Sequence, residues 1–118
     1  MTMKIIVSLV LALCLTGCVN NQTTYHWGNY EQVVYDMYKN PGEATADQQL
    51  TKLRQDVEIA ASKGKPVPPG VFAHMGMLYA SMGNSEQAKL SLNEELAHYP
   101  ESAIFVDGLL TRLEKGKE

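Results

Sequence analysis

The sequence predicts an all-α domain, a stack of about five antiparallel helices, and three observations carry that expectation. Apolar residues recur at helical spacing in successive segments after residue 29. Pro- and Gly-containing breaks at 40–42, 63–70, 83–84 and 100 divide those segments into helix-length pieces. The stretch from Pro69 to Pro100 holds two helical patterns separated by a Gly-Asn turn, which makes a helical hairpin whose apolar edges need neighbours.

The first 18 residues carry Lys4, an apolar run from Ile5 to Leu15 and then Leu15-Thr16-Gly17-Cys18. The run is too short for an ordinary membrane-spanning helix and has the charge and small-residue pattern of an export signal. The Leu-Thr-Gly-Cys sequence resembles the bacterial lipoprotein processing box. That resemblance implies cleavage of residues 1–17, lipidation of Cys18 on its thiol and acylation of its new amino terminus. Residues 18–24 then form the lipidated terminus and tether, and residues 25–118 the helical domain. Val19 stands where an Asp would favour inner-membrane retention in such lipoproteins, so the expected location is the outer membrane, lipid-anchored. The periplasmic face is the expected one, although the sorting pattern itself does not separate the two faces.

Composition narrows the function. The processed chain would carry nine Lys and Arg against thirteen Asp and Glu, a formal charge of −4, and it has no Lys/Arg-rich block. Nucleic-acid binding therefore has little support. Cys14 leaves with the signal and Cys18 becomes a thioether, so no disulfide or free thiol is expected in the domain. A tail of 101 residues has a limited interior and gains stability from repeat stacking or partner contacts.

The first helix is expected after Asn29, read as its N-cap, with Tyr30, Val33, Val34, Met37 and Tyr38 at helical spacing. Asn40-Pro41-Gly42 ends it. The second runs from Thr45 or Ala46 to Ser62, with Leu50, Leu53, Val57, Ala60 and Ala61 as its buried stripe and Thr45, Gln48 and Gln49 near its cap. Residues 63–70, KGKPVPPG, connect the helical pairs within one domain, with Lys63 and Lys65 facing solvent.

Pro69 then opens the hairpin's first helix, whose apolar face is Phe72, Met75, Tyr79 and Met82. Gly76 inside that helix points to close packing against the paired helix. Ser85 is read as the next cap, followed by Ala88, Leu92, Leu96 and Tyr99, and Pro100 closes the helix. The set Phe72, Met75, Gly76, Tyr79, Gly83, Ala88, Leu92 and Pro100 resembles a tetratricopeptide repeat, which implies a right-handed stack of antiparallel helices. Glu95 departs from that pattern, standing where a small residue is usual. An unpaired carboxylate there would be costly to bury, so it either opens the packing or meets a polar neighbour.

A wider resemblance spans nearly all of the processed chain through YHWGNY (25–30), VYDMYKNPG (34–42), GKPVPPGVFAHMGMLYASMG (64–83), NEELAHYPES (93–102) and FVDGLL (105–110). These pieces are similar to a small bacterial lipoprotein family, domain of unknown function 4810, in which a glutamate matching Glu95 is normal. The resemblance implies an accessory lipoprotein, sometimes encoded beside a curli-secretion-type lipoprotein, which is a candidate partner. It supplies no molecular activity.

The last helix, capped by Ser102, presents Ile104, Phe105, Leu109, Leu110 and Leu113 and is expected to cover the open face of the hairpin as a terminal capping helix. Lys115 to Glu118 is a solvated end.

No residue constellation specifies a reaction. His26, His74 and His98 are dispersed without metal-ligand spacing, and adjacent Glu94 and Glu95 point in different directions on a helix. Apart from the lipid at Cys18, no cofactor or metal is expected, and the protein is read as non-enzymatic. The leading expectation is an accessory or scaffold lipoprotein whose paired helices capture a protein partner during envelope assembly, secretion or maintenance. Tyr25, Trp27, Tyr79, His98 and Tyr99 are the candidate contact residues, and core packing is the competing role for each aromatic ring. Two alternatives remain: a passive structural subunit of a larger envelope lipoprotein complex and, ranked lower, a small-ligand-binding protein.

Overall fold

The computed structural model describes residues 1–4 and 23–116. They include α1 (Tyr30–Lys39), α2 (Ala46–Ser62), α3 (Val71–Ser81), α4 (Ser85–His98) and α5 (Ala103–Lys115), with a 3₁₀ turn at Pro100–Ser102. Cys18 and most of the segment read as signal and tether lie outside the described residues. The fold is all-α. Each helix packs mainly on its neighbours in the chain, and α3 meets α4 most extensively.

The centre of the molecule is α3, which contributes to two apolar clusters. Val71, Met75 and Leu78 join Val33 of α1, Leu50, Leu53 and Ala60 of α2, and Val67 of the connector. Ala73 joins Leu92 of α4 and Val106 of α5, with Leu96, Leu109, Leu110 and Leu113 packed around them. A helix covered on opposite sides must be apolar nearly all round, and VFAHMGMLYA is. The four-residue face Phe72, Met75, Tyr79 and Met82 is therefore too narrow. Met82 is exposed, and Val71, Ala73, His74 and Leu78 are buried.

Helix starts follow side-chain chemistry at some positions and not at others. Thr45 and Gln48 form a reciprocal cap: Gln48 N donates to Thr45 Oγ1 at 3.2 Å, and Thr45 N donates to Gln48 Oε1 at 2.9 Å. At α4 the cap is Asn84, one residue earlier than Ser85, because Asn84 Oδ1 accepts from Gln87 N at 3.1 Å. At α3 the helix starts at Val71, with Gly70 as N-cap, two residues after Pro69. Asn29 and Ser102 occupy N-cap positions without a side-chain bond to their helices, since both side chains turn to buried carboxylates instead.

The outer helices expose more apolar surface than their periodicity implied. Met37 and Tyr38 of α1 and Ala61 of α2 face solvent. Along α5, Val106 is the residue fully buried, while Ile104 and Phe105 are exposed. Leu109, Leu110 and Leu113 keep the expected side, and α5 does cover the hairpin.

Candidate interaction surface

Two buried carboxylates set the positions of the segments that carry the aromatic residues. Asp56, one turn beyond Leu53 on the inner face of α2, is 1% exposed. Its Oδ2 accepts from Asn29 N and its Oδ1 from Asn29 Nδ2, each at 2.8 Å. The YHWGNY segment is thereby fixed on α2. Gly28 has φ +49°, and a Cβ there would lie 2.2 Å from Asp56 Oδ1, so both backbone conformation and space demand glycine. His26 N donates to Pro66 O at 2.8 Å, and Lys65 Nζ donates to Thr23 O at 3.1 Å, tying the same segment to the 63–70 connector.

Glu95 does the corresponding work at the other end of the connector. Although it belongs to α4, its Oε1 accepts from Gly70 N at 2.8 Å and its Oε2 from Ala73 N at 3.3 Å. It caps α3 from another helix, where Gly70 has no side chain to do so, and its negative charge faces a helix N-terminus. Ser102 Oγ adds a long bond to Oε1 at 3.4 Å. Of the two outcomes expected for a carboxylate in the helical contact, the polar neighbour is the one realised.

Between these anchors the aromatic side chains converge. Tyr25 meets Trp27 edge-on with ring centroids 6.3 Å apart, and meets Tyr99 at the same distance. His98 lies 6.4 Å from Tyr99 and stacks on Phe72 at 5.2 Å. Four of the five candidate contact residues, Tyr25, Trp27, His98 and Tyr99, thus form one continuous group from segments far apart in the chain. Tyr79 does not join them and packs against the α1–α2–α3 cluster.

Their roles within the group differ. Trp27 and His98 are exposed, whereas Tyr99 is 7% exposed and its hydroxyl donates to Val67 O. Burial raises the Tyr99 phenol above its ordinary range, with nearby Tyr25, Glu95 and Glu101 adding to the shift, so the ring stays a neutral donor. Tyr99 is consequently the buried floor and Trp27 and His98 the rim. Beside them a cleft of about 190 Å³ is lined by Val57, Ala60, Ala61, Lys65, Phe72 and His98, among others. Lys65, read from sequence as simply solvent-facing, stands at the cleft as well as beside Thr23.

The cleft combines an apolar floor, a stacked imidazole and one ammonium group, a composition suited to holding an apolar side chain next to an acidic or carbonyl group. Glu94 partners His98 at its outer edge: its backbone carbonyl lies 2.9 Å from His98 Nδ1, and its Oε2 3.7 Å from the same atom. Among the described residues, no three His, Cys, Asp or Glu side chains come together as a metal-binding group. A broader depression of about 620 Å³ between α1 and the start of α2 is lined by Asp36, Glu43, Asp47 and Lys52 with neutral residues between them.

Sequence periodicity missed Asp56 and Phe72 as parts of this arrangement. Asp56 had a legible signal, a charged residue three positions after Leu53 and four before Ala60 on the buried stripe. Phe72 shows no comparable mark, because its position beside His98 depends on how α3 and α4 cross.

No helix among the described residues is long and apolar enough to cross a membrane. Residues 24–109 match the family described as Domain of unknown function (DUF4810). No curated protein and no solved structure matches the chain.

Proposed function

The chain belongs to the DUF4810 family, and we propose on that premise that it is a lipid-anchored accessory protein of the bacterial outer membrane that captures a protein partner. The anchor reading rests on the Leu15-Thr16-Gly17-Cys18 sequence, and Cys18 would place the domain at the membrane surface, at the periplasmic face. The helices would form a TPR-like right-handed stack, a reading supported by the α3–α4 hairpin with Gly76 and Ala88 at its contact. The partner would be an envelope protein, with a curli-secretion-type lipoprotein as one candidate. The role would lie in envelope assembly, secretion or maintenance.

The observation that carries the proposal is the convergence of Tyr25, Trp27, His98 and Tyr99 beside the apolar cleft. An exposed Trp on a rigid backbone is a common anchor of protein interfaces, and His98, in the same aromatic group, lines the cleft. In-cell crosslinking followed by affinity recovery of the full lipoprotein should yield a reproducible envelope partner. Trp27→Ala and His98→Ala should lower its recovery about tenfold, the scale of losing one interface anchor, while circular dichroism shows the fold retained. Undiminished recovery with both variants would instead favour a passive structural subunit.

A further inference from the structure

Helix α5 has a face that no other described residue covers. Val106 is fully buried, and Leu109, Leu110 and Leu113 pack beside it on the α3–α4 hairpin. The opposite side carries Ile104, Gly108, Thr111, Arg112 and Lys115, all exposed. Charged and polar groups at 111, 112 and 115 are ordinary there. Ile104 and Gly108 are not.

Ile104 is 93% exposed, and Phe105 beside it is 55% exposed. An apolar knob this exposed gains nothing from the fold of the monomer. Gly108 stands one turn further along in the middle of the helix, where glycine disfavours helix relative to alanine. At Gly76 close packing accounts for a helical glycine, because a Cβ would lie 2.8 Å from Leu92 Cγ. At Gly108 a Cβ would meet nothing within 4 Å. Packing among the described residues therefore explains neither the knob nor the gap, and the two lie four residues apart on one helix face.

We infer that this face of α5 pairs with α5 of a second copy of the chain, antiparallel about a twofold axis, with Ile104 of each copy seated over Gly108 of the other. The occupant is a second copy because the surface is self-complementary. A twofold interface brings the same patch to both sides, and an antiparallel pairing that sets 104 against 108 also sets 108 against 104. The same register brings Glu101, at the start of the paired region, toward Arg112 near the far end. Opposite charges thus meet on both sides of the axis, and the two helix dipoles run in opposing directions. Missing Cβ atoms at Gly108 let the two backbones approach, and Phe105 closes the edge of the seam. A seam of one helix from each copy lies at the small end of stable interfaces, so the dimer depends on concentration. Confinement of copies to one membrane surface would favour it.

The interface is separate from the aromatic cleft, so neither proposal depends on the other. The full-length protein expressed in cells, with a benzophenone side chain replacing Phe105, provides the test. Irradiation should give a crosslinked species of twice the chain mass, and its linked peptides should come from α5 of both copies. Introducing Gly108→Glu, or separately Ile104→Asp, should remove that species, and sedimentation of the purified wild-type protein should show a concentration-dependent dimer that both variants lose. Ile104 is almost wholly exposed and Gly108 has open space around it, so circular dichroism and thermal melting of the variants should match those of a folded chain. Crosslinks only to a different protein, no crosslink, or a homodimeric crosslink that survives Gly108→Glu would each overturn the inference.

Discussion

At the residue scale, Glu95 shows how an apparent misfit becomes a structural requirement. A carboxylate 1% exposed is costly unless its oxygens are satisfied, and both are satisfied by backbone donors at the start of α3. Replacing Glu95 with Ala strands those donors and removes the charge that faces the helix N-terminus. The expected loss is about 3 kcal/mol of unfolding free energy, from the cost of unsatisfied buried groups and of lost charge-assisted bonds. Glu95→Gln retains one acceptor but turns the other oxygen into a donor aimed at an N–H group, so it should fall between wild type and Ala. Urea titration of the three proteins checks the order. Equal midpoints for wild type and Glu95→Ala would show that α3 does not need this cap. The generic repeat pattern makes Glu95 look exceptional, because such a pattern records residue size at a contact. It does not record that Gly70, 25 positions earlier, leaves a helix start without a side-chain cap.

At the element scale, two helical glycines should respond in opposite ways to the same change. In α3, a methyl group at Gly76 would sit 2.8 Å from Leu92 Cγ and 3.2 Å from Ala88 O. Leu92 is itself 1% exposed and has little room to give way. Gly76→Ala gains about 1 kcal/mol of helix propensity and loses about 2 kcal/mol to overpacking, a net destabilisation. In α5, Gly108→Ala meets no neighbour and should stabilise the dilute monomer by roughly 0.5–1 kcal/mol. Thermal melts of the two variants at low protein concentration test the difference in sign. The close packing at Gly76 was legible in the sequence because glycine interrupts a strong helical pattern exactly where the paired helix carries Ala88. The start of α2 was legible to within a residue for a similarly local reason, since Thr45 and Gln48 are spaced for a reciprocal cap. Less could be read where the cap comes from a distant part of the chain, or where Asn29 spends its side chain on Asp56 instead of on α1.

At the scale of the whole molecule, α3 lies between two clusters and couples the α1–α2 half to the α4–α5 half. The sequence revealed the hairpin but not that α3 is covered on both sides, because a short helix that is apolar all round has no single face to read. It also left unresolved which aromatic rings form the interior: Tyr99 supplies a buried floor, whereas Trp27 remains outside, and only the crossing of distant segments decides between them. His74 follows from the same burial. It lies in α3 with its ring 6.1 Å from that of Tyr30, and is 6% exposed. Burial lowers its pKa from the ordinary value of 6.5, since the folded environment disfavours the imidazolium form. The unfolded chain therefore binds a proton at His74 at a higher pH than the folded chain does. Well above 6.5 both states are neutral at this site and it adds no pH dependence. As pH falls below that value the unfolded state is protonated first, and stability decreases until the lower folded pKa is reached. Wild type should consequently lose unfolding free energy as the pH falls through and below 6.5 in denaturant titrations. His74→Leu should remove that component of the slope while leaving the loss at lower pH, where carboxylates titrate. Parallel stability curves for the two proteins across this interval would place His74 in a site that accepts its proton without cost, contrary to its burial in the central helix.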